Sequence, residues 1–206
     1  MLDIGCGFGW FELFALEGGA RSITGVEPTE RDLETVRRHL TGGGARFEVA
    51  SATDLLFDSE SFDTVVCWEV LEHLPRHSEP AAFGEVSRVL RPGGVFYLST
   101  PHAAPLPTLT DPAWWLIGHR HYSRRRVAEL TQQAGLVVEV LEARGRLWSI
   151  VEMLDLYVSK WILRRPAVLQ DRLRARAGRE WQRAGFTNLF LRCRKPARQT
   201  RPASEP

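Results

Sequence analysis

Short apolar runs alternate along the chain with segments whose apolar residues recur at helical spacing. This alternation is typical of a parallel sheet that is covered by helices on both faces. The apolar runs predict seven strands, at Met1–Ile4, Ser22–Val26, Arg46–Ala50, Phe62–Trp68, Val95–Thr100, Val137–Leu141 and Thr187–Arg194. The helical spacing predicts helices at Trp10–Glu17, from a Thr29 cap to Leu40, at Pro80–Leu90 and at Arg124–Ala134.

Glycine and proline mark the connections between these elements. The dipeptide Gly18-Gly19 ends the first helix, and Arg91-Pro92-Gly93-Gly94 predicts a turn before the fifth strand. The segment Pro101–His121 is rich in proline, histidine and tryptophan, and we predict that it is irregular.

The pattern predicts one domain at residues 1–195. A helical insertion is predicted at 146–185, between the sixth and seventh strands, with Pro166 separating two helices. Residues 196–206 are polar and are predicted to be a disordered tail.

Composition narrows the class of protein. The 206 residues are 44% hydrophobic and 25% charged, as in globular proteins, and a net charge of +2 gives no reason to expect a nucleic-acid partner. The three cysteines are far apart, which argues against a disulfide framework and favours a reducing compartment, so we expect a cytoplasmic protein. No uninterrupted apolar run reaches the ~18 residues of a membrane span.

The glycine loop after the first strand carries the first chemical signal. Its spacing places glycines at Gly5, Gly7 and Gly9, whereas a dinucleotide site would need one at Trp10. Asp3, just before the loop, would repel a phosphate and suits an ammonium group. Glu27 ends the second strand, where an acid can accept from ribose hydroxyls. A ligand with a ribose and a cationic amino-acid end, such as S-adenosylmethionine (SAM), fits these acids. A glycine-rich turn without a ligand is the alternative.

These motifs resemble those of the class I SAM-dependent methyltransferases, in particular the small-molecule group with an Asp-x-Gly-x-Gly-x-Gly loop. The resemblance runs from Met1 to about Leu141 and returns at Thr187–Pro196. It is carried by Leu2–Gly9, Gly25–Pro28, Asp54–Phe57, Ser61–Val66, Glu69–Leu74 and Arg88–Gly94.

The resemblance implies a fold, a cofactor and a set of contacts. The fold is α/β, a Rossmann-like three-layer sandwich with strand order 3-2-1-4-5-7-6 and an antiparallel seventh strand. The cofactor is SAM, and the implied activity is methyl transfer to a small-molecule acceptor, with oxygen as the expected position. The implied SAM-binding residues are Asp3, Gly5, Cys6, Gly7, Gly9, Glu27, Pro28, Asp54, Leu55, Trp68 and Glu69.

Two departures keep other functions open. Family members usually carry an N-terminal helical segment that covers SAM, and it is missing here, so a truncated or catalytically impaired SAM-binding protein is an alternative. Ser51 also stands where an aspartate is frequent.

The segment after the fourth strand holds the candidate catalytic residues, His73 and Glu72. Imidazole titrates in the range that a base for a hydroxyl nucleophile needs. On a short helix, Glu69, Glu72 and His73 would share one face. A purely structural role for Glu72 and His73, as hydrogen-bonding groups that hold loops, is the favoured interpretation.

A divalent metal is the less favoured interpretation. Quinone-biosynthesis O-methyltransferases and small-RNA 2′-O-methyltransferases resemble this segment and use its acids and histidine as ligands. That resemblance implies Glu69, Glu72 and His73 with a second histidine, His121 or His119. It also makes a metal-assisted RNA 2′-O-methyltransferase an alternative function.

The later segments are expected to choose the acceptor. Trp114 and Trp115 either stack on a planar acceptor or close a core, with a slight preference for the core. Residues 147–181 combine an apolar half with a basic half, which fits a packed helical lid. Peripheral membrane contact or dimerisation are alternatives for this region, and the sequence predicts no oligomeric state.

Overall fold

A computed structural model describes residues 1–40, 43–166 and 169–198. Seven strands form one sheet with the order β3-β2-β1-β4-β5-β7-β6. Only β7 runs antiparallel to its neighbours, β5 and β6, and every other pairing is parallel. The predicted fold class is therefore confirmed. The strands are β1 Leu2–Ile4, β2 Ile23–Glu27, β3 Ala45–Val49, β4 Phe62–Trp68, β5 Leu90–Pro101, β6 Val137–Arg144 and β7 Asn188–Arg194.

Helices cover the sheet, and side-chain caps begin several of them. The hydroxyl of Thr29 accepts from the backbone NH of Asp32, and that of Ser123 from Arg126. Within the described residues no helix is long and apolar enough to cross a bilayer. The helices are α1 Trp10–Glu17, α2 Glu30–His39, α3 Glu79–Val89, α4 Pro105–Thr110, α5 Pro112–Ile117, α6 Arg124–Gln133, α7 Leu147–Tyr157 and α8 Gln170–Glu180, with a 3-10 turn at Leu71–His73 and a π-helical turn at Val158–Ile162.

The segment predicted to be irregular, Pro101–His121, contains helices α4 and α5, so that prediction is wrong. Both helices begin at a proline, Pro105 and Pro112, whose fixed φ and missing NH suit a first helical position. Asp111 lies between them and accepts from the NH of Ala113 at 2.8 Å. The prolines that indicated irregular structure in the sequence therefore start the helices.

The predicted turn at Arg91–Gly94 lies inside a longer strand. The pairing of β4 with β5 jumps from Phe62 opposite Leu90 to Thr64 opposite Val95, so the extra residues form a bulge. Gly93, at φ +82°, supplies the left-handed conformation there.

Helices α7 and α8 lie between β6 and β7 and pack against each other. The predicted disordered tail, 196–206, lies outside the described residues from 199 onward.

The main core lies between the sheet and helices α3 and α6. Phe83 of α3 meets Phe96 of β5 edge to face, with ring centroids 5.8 Å apart, and both side chains are buried. This packing fixes the fourth and fifth strands, whose ends carry the candidate site.

Replacing Phe83 with alanine is expected to lower the free energy of unfolding by about 3–5 kcal/mol, since a buried aromatic is lost and a cavity remains. Urea denaturation followed by circular dichroism measures this. Arg125→Ala on α6, which removes an exposed pair with Glu129, is the control and should cost less than about 1 kcal/mol. Equal losses in the two variants would contradict the assigned core.

Candidate active site

The glycine loop lies where the order of the sheet reverses. Strands β1 and β4 are neighbours, and β2 and β5 continue to either side, so this edge is a topological switch point. A side chain at Gly5 would overlap Val70, which follows β4, and one at Gly9 would overlap Val36 of α2. Gly7, in contrast, has open space beside it. All three glycines have positive φ, which favours glycine at each position. Of the three, only Gly7 has space beside its backbone for a ligand.

Glu27 and Pro28 lie beside this loop. One carboxylate oxygen of Glu27 accepts from the NH of Gly7 at 2.6 Å. Burial raises the pKa of Glu27, and the bond from Gly7 opposes that shift. The segment that follows β3 also begins next to Glu27, because the NH of Ala50 donates to the carbonyl of Glu27.

Asp3 lies beneath the loop, with only 2% of its surface exposed, and it has an unpredicted companion. Glu12, on the first turn of α1, is fully buried next to it. Within the described residues, Oδ1 of Asp3 and both carboxylate oxygens of Glu12 have no hydrogen-bond partner. Burial raises the pKa of both groups, and the Glu12 charge raises that of Asp3 further. Nothing in the spacing marked Glu12, since an acid in a first helical turn is common.

The predicted adenine contacts differ from each other in burial. Asp54 is exposed, and its NH donates to the carbonyl of Ser51. The Leu55 side chain is in the core, and its NH donates to Glu85 at 2.7 Å. Of these two predicted contacts, therefore, only Asp54 has an exposed side chain that could reach a ligand.

Trp68 and Glu69 end β4 on the other side of the loop. The Trp68 ring contacts that of Phe11 on α1, with centroids 5.8 Å apart. Glu69 has φ +54°, uncommon for a residue with a side chain, and it accepts from Asn188 at 2.8 Å. Because Glu69 precedes the turn and only Leu71–His73 is helical, the prediction of one shared helical face is wrong.

Three ligating side chains nevertheless meet here, and we call Glu72, His73 and His119 the acid–imidazole cluster. One nitrogen or oxygen of each lies within 4.8 Å of the others. Glu72 is buried, and its Oε2 accepts from the hydroxyl of Thr100 at 2.9 Å. Its Oε1 has no hydrogen-bond partner within the described residues and lies 3.8 Å from Nε2 of His119.

The pKa values of the three residues in this cluster shift in different directions. Burial and the charge of Glu69 raise the pKa of Glu72 to about 8. Burial and the charge of His119 lower the pKa of His73. Burial alone would lower the pKa of His119 as well, but the hydrogen bond with Asp111 and the charge of Glu72 outweigh it and raise that pKa. The two imidazoles are therefore shifted in opposite directions, and His73 is the one whose neutral form is favoured.

The cluster differs from the expected ligand set at two residues, because neither Glu69 nor His121 belongs to it. His121 is outside the cluster, with its Nε2 3.5 Å from Asp111. His119 takes its place, and its Nδ1 lies 2.9 Å from the same carboxylate. Asp111, which the sequence analysis did not single out, thus orients both rings from between α4 and α5.

Arg120 joins the two segments of the site and was also missed. Its guanidinium donates to the carbonyls of Leu71, at 3.0 Å, and Leu74, and it pairs with Glu79. The hydroxyl of Tyr122 donates to the same carbonyl of Leu71 and to Glu79. This clamp holds the histidine segment against the 3-10 turn.

A cavity of about 660 Å³ opens beside the cluster. The sheet side of its wall includes Trp68, Glu69, Asp111, His119 and His121. The opposite wall comes from α7 and α8 and is largely apolar, with Ile150, Met153, Leu156, Tyr157 and Trp181.

The slight preference for a core role of the tryptophan pair is wrong, because Trp114 is 37% and Trp115 64% exposed.

Comparison with known proteins agrees with this geometry. The sequence profile of a family described as "Methyltransferase domain" matches residues 1–94. A ubiquinone biosynthesis O-methyltransferase of Idiomarina loihiensis is 36% identical over 104 residues, which is 48% of this chain and 41% of that protein. The match thus spans less than half of the relative's length.

Solved structures agree over nearly the whole chain. An S-adenosylmethionine dependent methyltransferase from Mesorhizobium loti matches with a TM-score of 0.64 at 23% identity, covering 94% of this chain and 89% of that one. Residues 1–94 thus match a methyltransferase domain family, and the chain shares the fold of solved SAM-dependent methyltransferases. The cyclase SpnF shares the methyltransferase fold, with a TM-score of 0.68 at 20% identity over 95% of this chain and 75% of that one. The fold alone therefore does not fix the reaction.

The buried acids beneath the loop predict a pH dependence of stability. An acid whose pKa is raised by folding stabilises the protein fully below its unfolded pKa, and that stability is lost as pH rises through the folded pKa. Asp3 and Glu12 should therefore each contribute a fall in the free energy of unfolding as pH rises above about 4.

Glu12→Gln should reduce this slope by up to about 1.4 kcal/mol per pH unit, because one titrating group is removed. Urea titrations at several pH values measure the slope, whatever the absolute stability of the variant. Glu17→Gln, an exposed position on the same helix, should leave the slope unchanged. Identical slopes for Glu12→Gln and the wild type would contradict the assignment.

Proposed function

We propose that this protein binds SAM and transfers its methyl group to the oxygen of a small-molecule acceptor. The acid–imidazole cluster carries the proposal, since it lies between the end of β4, next to the glycine loop, and a cavity large enough for a small acceptor. The relatives named as O-methyltransferases support the reaction class.

SAM would lie across the switch point, where the negative charge of the site is concentrated. The open backbone at Gly7 fits its methionine part, and Glu27 fits the ribose hydroxyls. Asp3 and Glu12 lie beneath the loop, where a nearby ammonium group would stabilise their charged forms. The further contacts proposed are Gly5, Cys6, Gly9, Pro28, Asp54, Leu55, Trp68 and Glu69.

The chemistry needs one proton acceptor. The acceptor oxygen attacks the methyl carbon, the carbon–sulfur bond breaks, and S-adenosylhomocysteine leaves with the sulfur electron pair. His73 fits the base that takes the hydroxyl proton, because its lowered pKa keeps it neutral near pH 7. Glu72 and His119, whose pKa values are both raised, would orient the acceptor.

A divalent ion is a second way to activate the same hydroxyl. Glu72, His73 and His119 offer the carboxylate and imidazole donors that Mn²⁺ or Zn²⁺ accept, and the free Oε1 of Glu72 points to such a ligand. When bound, the ion would lower the pKa of an acceptor hydroxyl. Asp111 would hold His119 in the ligating orientation through its other ring nitrogen.

Calorimetric titration with SAM tests the first step. Glu27→Ala should weaken binding by about 10–100-fold, because hydrogen bonds from ribose hydroxyls to a charged acceptor are lost. Glu34→Ala, an exposed acid on α2, is the control and should bind like the wild type. No affinity for SAM or S-adenosylhomocysteine would refute the proposal. Binding without transfer to phenols, catechols or quinols would indicate a SAM-binding protein without catalysis.

Titration with Mn²⁺, followed by electron paramagnetic resonance, separates the two histidines. If the ion binds at the cluster, His119→Ala should weaken binding at least about 10-fold, whereas His121→Ala should change it little. Wild-type protein that binds no Mn²⁺ and keeps full activity after chelation would remove the metal and leave His73 as the base.

A further inference from the structure

Two exposed apolar segments begin at one rim of the cavity. Helix α5 starts directly after Asp111, and the π-helical turn starts directly after Tyr157. Both of these residues line the cavity, and burial together with the charge of Asp111 raises the pKa of Tyr157. The two segments therefore leave the fold from neighbouring points.

These segments expose large apolar side chains at their outer positions. Trp161 is 67% and Ile162 73% exposed, and at the end of α5 Trp115, Leu116 and Ile117 are 64%, 73% and 73% exposed. Single exposed apolar residues are ordinary, but a run of them in each of two adjacent segments indicates a binding surface. We call this surface the apolar rim, and it consists of Trp115, Leu116, Ile117, Trp161, Ile162 and Leu163.

Positive charge accompanies the apolar rim. Lys160, Arg164 and Arg165 flank the second segment directly. The hairpin at 146–183 carries nine lysine or arginine residues against four carboxylates, a net charge of +5, whereas the whole chain carries +2. The rest of the chain is therefore net negative, and the positive charge is concentrated on the hairpin that bears Trp161, Ile162 and Leu163.

We propose that the protein docks on an anionic lipid surface through the apolar rim. Tryptophan and aliphatic side chains enter the boundary between headgroups and acyl chains, and the flanking cations meet the negative headgroups. This proposal does not depend on the methyl-transfer reaction.

Other occupants fit the surface less well. A second copy of the chain would bring two +5 hairpins together, which their mutual repulsion opposes. A single-stranded nucleic acid would use the cations and the tryptophans, but it would leave Leu116, Ile117 and Ile162 without a role, since stacking needs aromatic rings.

Co-sedimentation of the full chain with large unilamellar vesicles tests the proposal. Vesicles of phosphatidylcholine alone are compared with vesicles that contain about 30% phosphatidylglycerol, at low and high salt. We expect binding to the anionic vesicles, at least about 10-fold weaker binding to neutral vesicles, and a decrease at high salt.

Variants assign the binding to the rim. Trp161→Ala with Ile162→Ala, and separately Lys160→Gln with Arg164→Gln and Arg165→Gln, should each reduce the partition coefficient at least about 10-fold. Trp10→Ala with Phe14→Ala removes equally exposed aromatic side chains from α1 and should leave binding unchanged. Thermal melts confirm that each variant is folded, and an unfolded variant is replaced by Ile162→Ser alone.

Three results would overturn the proposal. The first is no binding to anionic vesicles, and the second is binding that the rim variants leave intact. The third is that the protein self-associates in light scattering or binds an oligonucleotide, loses this property when the rim is substituted, and does not bind vesicles.

Discussion

The guanidinium of Arg120 is the interaction on which the candidate site depends. It joins the segment after α5 to the 3-10 turn after β4 by donating to the carbonyls of Leu71 and Leu74 and pairing with Glu79. A planar group with several donors in a fixed geometry can hold three acceptors at once, which a lysine cannot. Together with the Tyr122 hydroxyl, this clamp holds His119 near Glu72, although the two lie 47 residues apart in the chain.

Removal of carboxylates from water is the second constraint. Asp3 and Glu12 lie under the glycine loop, and Glu72 lies under the cluster, each with an oxygen that has no partner within the described residues. Unpaired buried acids destabilise a fold, and such groups concentrate at functional sites. Their position on both sides of the switch point makes this region attractive to a cation, whether a sulfonium, an ammonium or a metal ion. The same acids explain why stability and ligand binding are expected to be linked here through pH.

The helical hairpin of α7 and α8 connects the site to its surroundings. One side of it closes the cavity with apolar residues such as Ile150 and Trp181, and its ends carry positive charge. Buried acids surround the site, whereas arginines lie on the outside of the hairpin. The protein therefore has an acidic site and a separate basic surface. The small net charge of +2 hides this separation.

The strands and the glycine loop could be predicted from the amino-acid sequence, because apolar periodicity and glycine spacing are local signals that reflect burial and backbone conformation. Strand β4 and helix α1 were predicted to the residue, and the strand order followed from a family resemblance that the sheet confirmed. The sequence could not show which histidine lies near Glu72, because His119 and His121 are two residues apart and both face Asp111. The folded chain shows that it is His119. It alone also revealed Glu12 and Arg120. Their roles come from contacts with residues distant in the chain, and no local pattern of a sequence records such contacts.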